Sequence, residues 1–214
     1  MPTIEDARKW YLPSDPVHGF DHVLRVYNLA ARLAWLEGAD QEIVKAAVLL
    51  HDAGNEGDPE LEGTNRIEHH QESAAFAGKV LLKEGWTSGR IAEVQHCIIT
   101  HRFRDERNQP ETIEAMVLFD ADKLDAIGAI GIARAVAYAA RANQPIYADP
   151  SQVFFTNGRK MPGENHSAYH EYIYKLSKIK NRLFTASGRQ MAEERDRFMG
   201  VFFKRLQAEI EGEN

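Results

Sequence analysis

Apolar side chains recur at intervals of three and four along almost the whole chain, and that spacing allows little besides helices packed on one another. Val23, Val26/Tyr27, Ala30 and Leu33/Ala34 form one stripe; Val44, Ala47/Val48 and His51 form a second. A third helix is expected over about 70–84, stopped by Gly85, and a fourth over about 88–100 with Ser88 as its N-cap. A fifth covers about 111–125 and could continue through the small-residue run AIGAIGIARAVAYAARA. Gly128 and Gly131 weaken that continuation unless a neighbouring helix packs close. Two more helices fill about 167–181 and 187–211. No alternating segment is convincing as a strand, and the best candidate, QVFFT at 152–156, is short. The expected fold class is all-α, a single-domain helical bundle spanning 1–214.

Charge and cysteine content narrow the partners. With 26 basic and 32 acidic residues the formal charge is −6, and no basic arm is present, so nucleic acid is not an expected partner. Cys97 is the single cysteine, which rules out an internal disulfide and a CxxC pair and fits a reducing, cytoplasmic location. The start, MPTIEDARKWYLP, lacks the pattern of a signal peptide. No run approaches the roughly 18 apolar residues of a membrane span, so no membrane partner is expected. Two long stretches, 52–66 and 142–166, interrupt the helical pattern, and loops of that length tend to be functional. The second carries glycines, Arg159 and Lys160, and is expected to close over a substrate.

Polar residues on the apolar stripes carry the chemistry. His51 ends the stripe of Val44, Ala47 and Val48; Asp122 falls on that of Ala115, Leu118 and Phe119; His22 opens that of Val26, Leu29 and Leu33. Taken singly, each histidine is more simply a satisfied core residue. Taken together with Asp52, they place imidazoles and carboxylates where burial is costly, and sharing one divalent cation would relieve that cost.

The segments HGFDHVLRVYNLA (18–30), AAVLLHDAG (46–54), CIITHRF (97–103), FDADKLDAIGAIGIAR (119–134) and HEYIYKLSKIKNRLFTASGRQMAEERDRFM (170–199) carry a resemblance. Their order, His…His-Asp…Asp, resembles the HD-domain superfamily of metal-dependent phosphohydrolases. The likeness is to a bacterial branch that includes nucleoside triphosphate pyrophosphohydrolases. The resemblance implies a helical bundle with a metal in a central cleft, a metal-binding core at about 18–135 and C-terminal helices at about 167–211. It makes His22, His51, Asp52 and Asp122 the ligands of a divalent ion, Mn, Fe, Co, Ni or Mg, with Mn or Fe favoured. The implied substrate is a small phosphorylated molecule, a nucleotide, with a triphosphate cleaved to monophosphate and pyrophosphate. A phosphodiesterase, a phosphomonoesterase or a non-catalytic nucleotide-binding module are the alternatives.

Phosphoryl transfer also needs cations on the oxygens that gain charge. Arg25, at i+3 from His22, Lys123 and His101 are the expected phosphate contacts, with Asp52 as proton acceptor. Arg66, Arg102, Arg104, Arg159 and Lys160 are further cations of the same kind. Asp125 could orient a ligand or pair with Lys123, and Asp120 is expected at the surface or as a cap. His18 could face the cleft, Glu72 could orient water, and His69, His70 and His96 with His101 raise the alternative of a second metal, though one metal is the expectation. The AIGAIGIA face could pack helices within or between subunits of a homo-oligomer.

Overall fold

The computed structural model describes residues 1–11, 19–53, 69–102 and 108–213. Among them are helices and connecting turns and no strand, so the all-α expectation holds. The chain divides into two compact units, one of Met1–Asp122 with Phe184–Gly188, the other of Lys123–Leu183 with Arg189–Asn214.

The first unit is organised by α3 (Gln41–Leu50). Ile43, Val44 and Ala46 through Leu50 are fully buried, as a helix that is apolar on nearly every side must be. It packs against α1 (Ile4–Arg8), α2 (Phe20–Glu37), α4 (His69–Lys83) and α5 (Ser88–Thr100). Its start is fixed by Asp40, whose carboxylate accepts from the N–H groups of Glu42 at 2.8 Å and Ile43 at 3.1 Å. α5 begins with a correction: the capping residue is Thr87, whose hydroxyl accepts from Arg90 N–H, and Ser88 is the first helical residue.

α6 (Ile113–Asp125) does not run on through the small-residue stretch. Ile127 is extended, Gly128 takes φ +77°, and α7 (Gly128–Arg141) starts afresh. The two glycines answer different neighbours. A Cβ on Gly131 would lie 2.3 Å from the Ala126 carbonyl oxygen, so its tight neighbour is the preceding turn. A Cβ on Gly128 would lie 3.0 Å from Arg195 Cγ on α10 (Ala186–Glu211), a helix contact of the kind expected.

In the second unit QVFFT is helical. It forms most of α8 (Gln152–Asn157), capped by the Ser151 hydroxyl on Phe154 N–H at 3.1 Å and ended by left-handed Gly158. The helix expected at 167–181 divides at Lys175 into α9 (Ala168–Tyr174) and a 3-10 helix, Leu176–Arg182. The 142–166 stretch is knit together by Glu164. Its carboxylate accepts from Ser151 N–H at 2.7 Å, the Ser151 hydroxyl at 2.9 Å and Met161 N–H at 2.6 Å. Arg159 and Lys160 are exposed.

Candidate metal centre

The centre is built where helices of the first unit end. At the end of α3, His51 Nδ1 lies 2.7 Å from the Val48 carbonyl oxygen. A carbonyl can only accept, so Nδ1 carries the proton and Nε2 keeps its lone pair. That Nε2 is buried and has no hydrogen-bond partner. Burial is also the main reason the His51 imidazole titrates below its ordinary range, which keeps it neutral.

Around it stand the other expected donors. His22, on α2 and buried, has its ring 5.7 Å from that of His51. The carboxylate of Asp52 approaches His51 Nε2 at 3.4 Å, and Asp122 Oδ1 approaches His22 Nε2 at 3.4 Å. One donor atom from each of His22, His51 and Asp52 falls within 4.8 Å of the others. His101, at the end of α5, repeats the device of His51: Nδ1 meets the Ile98 carbonyl, and Nε2 lies 3.6 Å from Asp52 Oδ1. Its ring stands edge-on to His51 at 5.2 Å.

These residues fit a divalent cation. A neutral buried imidazole with a bare Nε2, a second imidazole and two nearby carboxylates form a nitrogen–oxygen donor set without thiolates. Such a set suits Mn, Fe, Co, Ni or Mg better than a structural zinc site.

The remaining expected residues separate by role. Arg25 is half-buried on α2. Lys123, half-buried, follows Asp122 directly and is the first residue of the second unit. His70 is buried, with Arg102 Nη1 3.4 Å from its Nδ1. His96 has a structural partner, its Nε2 accepting from Glu111 N–H at 3.2 Å. Glu72 is exposed on α4. Asp125 pairs with Arg134 at 3.0 Å. Asp120 is not at the surface: it is fully buried and accepts from Phe184 N–H, Thr185 N–H and the Thr185 hydroxyl at 2.9, 2.8 and 2.6 Å. His18, Arg66, Arg104 and most of the 52–66 stretch lie outside the described residues, as does the side chain of His69. One residue of this neighbourhood had no signal in the sequence. Tyr11 lies on no apolar stripe, yet its hydroxyl donates to the Leu49 carbonyl at 3.1 Å, beside the centre.

The model of the HD domain matches residues 19–127, the stretch that carries the cluster of His22, His51 and Asp52 and also Asp122. The chain belongs to the HD-domain family. YpgQ of Bacillus subtilis is 34% identical to this HD-domain protein over 198 residues, 91% of this chain and 85% of the relative. The crystal structure of that YpgQ in complex with ADP superimposes with a TM-score of 0.71 at 31% identity, covering 99% of this chain and 100% of the other. An HD-superfamily hydrolase from Bacillus thuringiensis gives a TM-score of 0.71 at 26% identity, over 97% of this chain and 96% of the other. Ribonuclease Y of Chloroflexus aurantiacus is 34% identical over 103 residues, 48% of this chain but 17% of that longer protein. Family and neighbours make this HD-domain protein a metal-dependent phosphohydrolase. No described helix is long and apolar enough to cross a membrane.

Proposed function

We propose that this phosphohydrolase acts on nucleoside triphosphates, cleaving between the α and β phosphates to give a monophosphate and pyrophosphate. The observation that carries the reading is the bare, buried Nε2 of His51, with His22 and Asp52 gathered about it and Asp122 against His22. The ADP complex of YpgQ supports a nucleotide as the ligand class. In this reading the 214 residues act as one HD-type domain, and His22, His51, Asp52 and Asp122 hold one divalent cation.

The cation, when bound, supplies Lewis acidity toward water and a phosphoryl oxygen. The chain's own residues do the rest. Water adds to the α-phosphorus, and the bond from that phosphorus to the bridging oxygen breaks. Asp52 takes the proton of the attacking water and passes it to His101, whose Nε2 faces its Oδ1 at 3.6 Å and hands that proton to the departing pyrophosphate. Arg25 and Lys123 hold phosphate oxygens as charge builds on them, a need sharpened by the protein's net charge of −6.

A second reading, phosphodiester cleavage, is favoured by the likeness of half the chain to Ribonuclease Y. One experiment separates them. Metal-stripped protein is incubated with Mn, Mg, Co or Ni and a panel of ribo- and deoxynucleoside triphosphates, and products are resolved by ion exchange. Pyrophosphate with monophosphate is the expected result, and Asp52→Ala should lower its rate by at least a hundredfold. Inorganic phosphate as the product points to a monoesterase. No turnover of triphosphates, with turnover of a dinucleotide, establishes the second reading.

A further inference from the structure

α3 ends in an unusual way. A helix leaves its last carbonyls without intrahelical donors, and something else must satisfy them. Here the Val48 carbonyl is taken by the His51 imidazole itself. Ala53 N–H turns to the Leu50 carbonyl at 3.2 Å. The Leu49 carbonyl is taken by a residue 38 positions earlier, the Tyr11 hydroxyl, at 3.1 Å. One hydroxyl from the N-terminal segment thus holds the carbonyl two residues before His51.

The contact is anchored. The Tyr11 ring packs against Phe20 of α2 at 5.6 Å, and Trp10 beside it stands edge-on to Phe76 of α4 at 5.5 Å. As a phenol, Tyr11 has the one O–H donor that the Leu49 carbonyl takes, and phenylalanine at this position would have none.

We propose that Tyr11 is a positioning residue for the metal centre: its hydroxyl clips the end of α3 and fixes the backbone from which His51 and Asp52 project. The inference rests on the reading that these two residues, with His22 and Asp122, hold a divalent cation. Groups that orient metal ligands typically alter affinity by about 10–100-fold when removed.

The test is a titration of Mn alone, without nucleotide, into metal-stripped wild type, Tyr11→Phe and His51→Ala, each held folded by circular dichroism at the titration temperature. Tyr11→Phe should weaken the Kd for Mn by about tenfold or more and change the paramagnetic resonance line shape of the ion that does bind. Tyr147→Phe, which loses a surface hydroxyl bond to Asp149 at 2.8 Å, should bind as wild type. Wild-type affinity in Tyr11→Phe, with binding abolished in His51→Ala, overturns the role of Tyr11 and leaves the metal reading intact. Undiminished binding in His51→Ala overturns the metal reading itself. Should Tyr11→Phe fail to fold, the hydroxyl proton of Tyr11 in metal-free wild type decides by nuclear magnetic resonance: a slowly exchanging O–H signal supports the clip, and exchange at the rate of a solvent-exposed hydroxyl refutes it.

Discussion

Glu164 is a carboxylate surrounded by donors, and its chemistry sets a pH dependence. The N–H groups of Ser151 and Met161 bond its charged form and draw its pKa from 4.5 down to about 2. The unfolded chain takes up this proton as pH falls through about 4.5, while the folded chain resists until about pH 2. The stabilisation is therefore complete above the unfolded pKa and is lost between those limits. Glu164→Gln should lower the urea midpoint at neutral pH, and its gap to wild type should narrow as pH falls below about 4.5; a gap independent of pH would contradict this. At this scale the sequence was readable wherever a polar side chain broke an apolar stripe, as His22, His51 and Asp122 do. It was not readable at Tyr11 or Asp120, because their partners, Leu49 in one case and Phe184 and Thr185 in the other, lie far along the chain. Periodicity records which way a residue faces, not what meets it there.

Two glycines inside helices make opposite demands on their elements. A Cβ on Gly131 would drive into the Ala126 carbonyl at 2.3 Å, and backbone cannot yield as a flexible side chain can. Gly131→Ala should destabilise by about 1–3 kcal/mol. Gly89, in the first turn of α5, would meet nothing within 4 Å. Gly89→Ala should be stabilising by roughly 0.5–1 kcal/mol, since alanine relieves the entropy that glycine loses in a helix. Denaturant midpoints of the pair test both signs at once. Helix positions were the most legible part of the fold: α4 and α5 fall within a residue or so of the spacing-derived limits. The break at Ile127 escaped because small apolar residues continue the helical period straight through it. The helix α8 escaped because VFF imitates a strand, although the flanking Ser151 and Gly158 are a helix start and stop.

For the whole molecule, a cation held only by the folded chain must raise its stability by mass action. Saturating Mn should raise the melting temperature, with about 2.7 kcal/mol of stabilisation at a hundred times Kd. Chelator should remove the gain, and Asp122→Asn should abolish most of it; a melting temperature indifferent to Mn would count against the centre. A further property follows from where α3 stops. Its aligned peptide groups sum to a macrodipole whose negative end, about half an elementary charge, falls beside His51 and Asp52. That end attracts a cation and repels phosphate, as the two carboxylates also do. In the proposed reaction this helix end therefore favours the cation over a bare polyphosphate, by the roughly 0.3–1 kcal/mol that such a dipole is worth to a nearby charge.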